Sequence, residues 1–223
     1  MLAADGGERE ARDALELLFR SYWYPLFAYL RSQGHAKAEA EDHLQGFFVH
    51  LVERRTLGRA DRLKGSFRGF LLGCLRFYLA NQRELAVAQK RGGKAQTISL
   101  DFDAAEAQLQ HEGMGPAEHV EMDFDRRWAR LLLERALETL QARYMERPLV
   151  FAALKDFLTN TGEARYSEIA ALLGMSEGNV KVTVHRMRAQ FRELLRAEIA
   201  ATVSAPHEID TELRHLANVL VSE

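Results

Sequence analysis

The fold of the second half of the chain is decided by residues 166–180, which read YSEIAALLGMSEGNV. A short apolar helix is followed by Gly174, which can adopt the positive φ that a tight turn requires. Ser176 can then cap a second helix, because its hydroxyl can accept a hydrogen bond from a backbone amide of the first turn. Ala170 is small where the two helices would cross. This order of residues predicts a helix-turn-helix.

The second helix of this pair, predicted over 176–200, separates its side chains into two faces. The predicted buried stripe consists of Val180, Val184, Met187, Phe191 and Leu194. The opposite face carries Lys181, Val182, His185, Arg186 and Ala189. Such a face suits the major groove of DNA, because long cations reach phosphates or guanine edges and an exposed valine can touch a thymine methyl. A solvated face in a small helical bundle is the alternative.

Helical spacing extends along nearly the whole chain, and no segment alternates convincingly as a strand does. The predicted helices are 9–32, 36–54, 66–89, 123–143, 149–159, 166–173, 176–200 and 208–221. We therefore predict an all-α protein of two small helical domains joined by an acidic flexible linker, the second containing the helix-turn-helix. The predicted divisions are a first domain (8–91), the linker (92–122), a second domain (123–200) and a C-terminal extension (201–223).

The net charge of −2 hides two segments of opposite sign. Residues 54–94 contain eight Arg and three Lys against two carboxylates, a balance of +9. The acidic segment, residues 99–125, contains eight carboxylates and neither Lys nor Arg. This asymmetry is typical of a protein with a polyanionic partner, although two solvated surfaces of opposite sign explain it equally well.

Composition excludes several classes of protein. One cysteine, Cys74, among 223 residues cannot build a disulfide framework and fits a reducing compartment. The apolar runs fall well short of the ~20 residues of a membrane span, and the N-terminus lacks a signal-like core. We therefore expect a cytoplasmic protein without a membrane partner.

Catalytic and metal-binding motifs are not evident. The sequence contains no phosphate-binding glycine loop in a strand-to-helix context. His43 and His50 are seven residues apart, which is not the spacing of a zinc site. Cys74 lies on a predicted buried stripe, which argues against a reactive thiol. We expect neither an enzyme nor a cofactor.

The helix predicted over 66–89 combines an apolar stripe with a basic, aromatic outer face. Its predicted core positions are Leu71, Cys74, Leu75 and Tyr78. Its outward positions include Arg76, Phe77 and Arg83. An exposed ring beside cations can stack on an unpaired base while the cations follow the backbone, and Phe67 and Phe70 are further stacking candidates. Alternatively, Phe77 packs under a neighbouring helix.

Three motifs in this order resemble a known family. Asp42, Gln45 and Phe48 form an Asp-x-x-Gln-x-x-Phe helix, FRGFL follows at 67–71, and the helix-turn-helix comes last. The chain from about 15 to 195 is similar to bacterial RNA polymerase sigma factors of the extracytoplasmic-function type. Features such as residues 88–93 and 212–216 resemble a sub-branch with a C-terminal extension. Many members have Trp at the position of Phe70, and this chain adds a helical piece at 149–159.

The resemblance implies a role for each motif. Asp42, Gln45 and Phe48 would dock on the coiled coil of the largest subunit of core RNA polymerase. The melted minus-ten promoter element would be held by Lys64, Phe67, Arg68, Phe70, Arg76, Phe77 and Arg83. The duplex minus-thirty-five element would be read by Ser176, Asn179, Lys181, Val182, His185 and Arg186. In similar proteins the linker threads the RNA exit path, where the acidic segment could stand in for RNA phosphates.

Two other functions remain open at the level of sequence. An autonomous helix-turn-helix regulator would use its N-terminal domain for sensing or dimerisation and would bind duplex DNA tightly on its own. An adaptor would bind polymerase without DNA, and the outer face of the last long helix would then be dispensable.

The C-terminal extension has an apolar stripe of its own: Ile209, Leu213, Leu216 and Leu220. An isolated helix of this length is marginal in water, so the stripe must be buried. We expect it to fold back on the second domain. The alternative is a regulatory contact, either with an inhibitory anti-sigma partner or by covering residues 181–186.

Overall fold

The structure, a computed structural model, describes residues 19, 21–53, 66–88, 100–113, 120–158, 166–203 and 205–221. All regular structure in these ranges is helical, which confirms the predicted all-α class. The α-helices in these ranges are α1 (21–32), α2 (Lys37–Glu53), α3 (Phe67–Ala88), α4 (Phe102–Glu112), α5 (Val120–Arg143), α6 (Pro148–Leu154), α7 (Tyr166–Leu173), α8 (Glu177–Ala200) and α9 (Ile209–Val221). Short 3-10 helices occupy Lys155–Phe157 and Pro206–Glu208. None of the helices in these ranges combines the length and apolarity needed to cross a bilayer.

The chain divides into two units. Unit 1 comprises residues 1–129 and 201–223, and unit 2 comprises residues 130–200. The division falls within α5, so its first ten residues belong to unit 1 together with α4 and α9.

Part of the predicted flexible linker is a helix, so that expectation is wrong for residues 102–112. Asp101 caps α4, because its side chain accepts a hydrogen bond of 2.9 Å from the amide of Ala104. Gly113 ends the helix with a φ of 78°. Phe102, Ala105 and Leu109 are buried. This segment is therefore a packed element of unit 1.

Aromatic side chains join α1, α4 and α5 in the core of unit 1. Tyr22 stacks on Trp128 with ring centroids 6.3 Å apart, and both side chains are almost completely buried. Phe27 lies 5.4 Å from Phe102, ring centre to ring centre. Burial of large rings supplies much of the stabilisation of such a core. Burial also raises the pKa of the Tyr22 hydroxyl, so this group stays neutral.

Helix α9 belongs to unit 1, so the expectation that it folds back on the second domain is wrong except for its contact with Asp125, which lies at the start of the predicted range 123–200. Leu216 of its apolar stripe is buried, as is Glu212. Glu212 accepts a hydrogen bond from Arg68 of α3, and His215 Nε2 lies 2.8 Å from the carboxylate of Asp125 in α5. A marginal helix is thus stabilised by burial of part of its apolar stripe and by polar contacts to α3 and α5 of the same unit.

In unit 2, α7 packs against α8 and α6 packs against α7. The carbonyl of Phe157 accepts a hydrogen bond of 2.8 Å from Nε of Arg188 in α8. The ring of Phe157 lies 5.4 Å from that of Tyr166, at the start of α7. The described part of the added helical piece at 149–159 therefore packs on α7 and α8.

Candidate nucleic-acid interface

The connection between α7 and α8 has the local geometry that the sequence predicts. Gly174 has a φ of 63°, and the amide of Met175 donates to the carbonyl of Ala170 at 2.9 Å. Ser176 Oγ accepts a hydrogen bond of 3.2 Å from the amide of Asn179, which caps α8. Ala170 is buried. The predicted turn glycine and the predicted cap are both confirmed.

Helix α8 buries the face that the sequence assigns to the core and exposes the other. Of the predicted stripe, Phe191 is partly exposed and the other four side chains are buried. The predicted outer face is exposed throughout: Lys181, Val182, His185, Arg186 and Ala189. Ser176 and Asn179, at the start of the helix, are also exposed. The six candidate duplex-contacting residues therefore lie together on accessible surface.

The cations of this outer face are little restrained by other side chains. Lys181 Nζ lies 3.9 Å from the Glu177 carboxylate, with both groups more than half exposed, and 5.4 Å from the centre of the Tyr166 ring. Such an exposed pair contributes little, roughly 0–1 kcal/mol. Arg186 has no ion pair within the described part of the chain. These cations remain available to a polyanion.

A cleft of about 380 Å³ in unit 2 brings two further arginines and one carboxylate, Glu146, to this surface. Arg143 and Arg147 come from the end of α5 and the turn that follows it, and Arg186 comes from α8. Tyr144 also lines the cleft; burial raises the pKa of its hydroxyl, and the charges of Arg147 and Arg186 oppose that shift. Sequence reasoning missed Arg143 and Arg147, although two arginines four residues apart at a helix end are a visible signal of a basic face.

On α3, the predicted division into inner and outer faces is largely confirmed. Leu71, Leu75 and Tyr78 are buried, whereas Cys74 is half-buried and burial raises the pKa of its thiol. Phe77 is 67% exposed, so it does not pack under a neighbouring helix within the described structure. It is the most accessible of the described side chains assigned to the minus-ten element.

Arg68 is not available to DNA, and its assignment to the minus-ten element is wrong for this structure. Its side chain is 8% exposed and pairs with Asp125 at 2.9 Å and with Glu212. Its guanidinium also lies 5.0 Å from the ring centre of Trp128. A cation in this position holds two carboxylates together inside unit 1.

The Arg76 side chain is about half exposed, but it already has polar partners within the chain. It pairs with Glu121 and donates a hydrogen bond of 2.9 Å to the hydroxyl of Tyr29. To contact a DNA phosphate, it would have to exchange one anionic partner for another.

The remaining candidates for the minus-ten element either contribute to packing or lie outside the described residues. Phe67 and Phe70 are partly buried, with ring centres 6.0 Å apart, and Phe67 also contacts Tyr22. They act at least partly as packing residues. Lys64 and the side chain of Arg83 lie outside the described residues.

The acidic segment is paired with cations of unit 1. Within the described residues, six of its eight carboxylates form such pairs, namely Asp103 with Lys37, Glu106 with Arg31, Glu112 with Arg127, Glu121 with Arg76, Asp123 with Arg126 and Asp125 with Arg68. Arg31 contacts both oxygens of Glu106, at 2.7 and 2.9 Å, and these bonds hold the pKa of Glu106 below its usual value. Much of the negative charge is thus balanced within unit 1.

The predicted polymerase-docking face of α2 is only partly accessible. Asp42 is exposed and Gln45 is partly exposed. Phe48 has no exposed surface and packs against Phe47, with ring centres 5.9 Å apart. The expectation that Phe48 anchors a partner is therefore wrong, because its ring belongs to the core.

No family model, curated protein or solved structure matches this chain.

Proposed function

We propose that this chain is a sigma factor of the extracytoplasmic-function type. It binds core RNA polymerase in the cytoplasm and directs it to promoters through the minus-ten and minus-thirty-five elements. In this proposal unit 1 provides the docking and minus-ten functions, and unit 2 provides a DNA-reading helix-turn-helix. The protein is not itself an enzyme.

The observation that carries the proposal is the exposed outer face of α8. A helix that follows a glycine turn and a serine cap exposes Lys181, Val182 and Arg186 near its start. In helix-turn-helix proteins, the residues near the start of the second helix contact base edges in the major groove. Arg143 and Arg147 extend the positive charge beyond this helix, where phosphates of the same duplex would lie.

The role of unit 1 rests on fewer residues. Phe77 offers a ring for stacking on an unpaired base, and Asp42 with Gln45 offers polar groups to a partner helix. These contacts complement those of α8, because a sigma factor must bind the enzyme and two separate promoter elements.

Run-off transcription with core polymerase tests the proposal. Wild-type chain with core enzyme is expected to start transcripts at a defined promoter, and Arg186→Glu is expected to abolish them. Arg192→Glu is the control, because Arg192 is an exposed arginine further along α8 and is not one of the residues assigned to the duplex. Tight, sequence-specific duplex binding by the chain alone, with no effect on polymerase, would identify an autonomous regulator instead.

Docking is tested separately by co-purification with core enzyme. Asp42→Arg places a cation where we expect a carboxylate to meet basic groups of the polymerase, and it should abolish association while the fold is retained. Ala107→Arg, an exposed change on α4, is the control. If Asp42→Arg still co-purifies at the wild-type level, this docking surface is incorrect.

A further inference from the structure

Three side chains with metal-binding atoms converge at the start of α2. His35 Nδ1 lies 3.1 Å from Oε1 of Glu39, and His43 Nε2 lies 3.5 Å from the same oxygen. The two imidazole rings are nearly perpendicular, with centres 5.0 Å apart. All three potential ligand atoms lie within 4.8 Å of one another. Helical spacing already places Glu39 and His43, four residues apart, on one face of α2, whereas His43 and His50 are seven residues apart.

The spacing of these atoms fits a divalent transition metal. Tetrahedral Zn²⁺ with bonds of about 2.0–2.1 Å places its ligand atoms about 3.3–3.4 Å apart. The two distances to Glu39 are close to that value, so small rotations of the side chains would bring all three onto one ion. Two imidazoles and one carboxylate are a ligand set that zinc uses in proteins when a fourth position is filled by water.

The surroundings of the site also suit a cation. His35 is almost buried, which fixes one ligand, whereas the side chain of Glu39 is 52% exposed and gives access from solvent. Two neighbouring cations are already paired, Arg31, which contacts the carbonyl of His35, with Glu106, and Lys37 with Glu41 and Asp103. The charge of Glu39 is therefore not needed to neutralise them.

We propose that His35, Glu39 and His43 bind one Zn²⁺ ion or a similar divalent transition metal. The ion would join the connection after α1 to the first turns of α2 and would stiffen the helix that carries Asp42. The proposal does not depend on the function proposed above, because it rests only on the convergence of these three side chains.

Zinc titration of the full-length, tag-free chain against a chromophoric chelator tests this site. We expect one equivalent of zinc to bind and to raise the Tm. Glu39→Gln and His43→Asn should each weaken zinc binding at least ~10-fold, since each removes a ligand. Both positions are at least partly exposed, so these variants should fold. His111→Asn, an exposed histidine on α4, should bind zinc as the wild type does.

Substitution with Co²⁺ provides an independent measurement. The visible spectrum should show a low-symmetry cobalt site without a thiolate band, and both ligand variants should lose it. If the wild type binds no zinc in competition with the chelator, or if both variants bind it as tightly as the wild type, the proposal is overturned. Transcription and polymerase binding need not be measured, so its failure is distinct from failure of the proposed function.

Discussion

The helices α3 and α8 both carry cations that the sequence assigns to DNA, but their surroundings differ. On α3, Arg68 is buried between two carboxylates and Arg76 is paired with a third. On α8, Arg186 is exposed and its side chain lines an open cleft with two more arginines. A basic helix face is thus not by itself a binding surface. A basic face remains available to a polyanion only when carboxylates of the same chain do not already pair with its cations.

This difference predicts opposite effects of removing an arginine on stability. Arg68→Ala removes the cation that Asp125 and Glu212 share and leaves the buried carboxylate of Glu212 without it, so it should lower the free energy of unfolding by about 3–5 kcal/mol. Arg186→Ala should change it by no more than about 0.5 kcal/mol, since the residue is exposed and forms no ion pair with the described residues. Urea denaturation of both variants measures the contrast. Equal effects would mean that the Arg68 cluster contributes nothing specific.

The cleft in unit 2 predicts a change in salt dependence. Replacing both Arg143 and Arg147 by Ala should remove two phosphate contacts, so the slope of log K against log salt should become less steep by about 1.8. Affinity of the complex with core polymerase for promoter duplex should fall by one to two orders of magnitude at about 0.1 M salt.

The matched control for this cleft is Arg192→Ala, which should leave the slope unchanged. Because phosphates carry no sequence information, specific and non-specific duplexes should weaken alike. A loss confined to one sequence would instead assign these arginines to base contacts.

Phe77 tests whether α3 retains any nucleic-acid contact. Phe77→Ala should weaken binding of the polymerase-bound chain to single-stranded minus-ten DNA by about 1–3 kcal/mol, because one stacking surface is lost. Its effect on stability should be small, since the ring is 67% exposed. Leu71→Ala, a buried neighbour on the same helix, is the reverse control and should act mainly on stability. Unchanged binding by Phe77→Ala would leave α3 with a structural role only.

Local features were well predicted from the sequence, because they depend on residues close together in the chain. The bounds of α7 match the prediction, and Gly174 and Ser176 have the conformations expected of a turn and a cap. The buried stripe of α8 follows from helical spacing alone. Because α9 is amphipathic, the sequence also indicated that its apolar stripe must be buried. The sequence did not indicate which unit would cover that stripe.

Features that depend on distant residues were not predicted. Arg68 pairs with Asp125 and Glu212, which lie 57 and 144 residues further along the chain. Its position three residues before Leu71, on the same helix face, was nevertheless a signal of burial. Phe48 lies between Leu44 and Leu51 on one apolar stripe of α2, so its position was likewise a signal of burial. In both cases the family pattern suggested a surface role that the helical spacing opposed.

The pairing of Arg31 with Glu106 shows how far the acidic segment stabilises unit 1. Glu106→Gln should lower the free energy of unfolding by about 1–2 kcal/mol at neutral pH, because a two-bond contact with a cation is weakened. The pKa of Glu106 is lowered in the folded chain, so its contribution is present above the unfolded pKa of about 4.3 and is lost as the pH falls through the folded value. The difference between wild type and variant should therefore shrink in acid. Asp103→Asn, an exposed change in the same segment, should have little effect, and a pH-independent difference for Glu106→Gln would show that its charge is not what stabilises the contact.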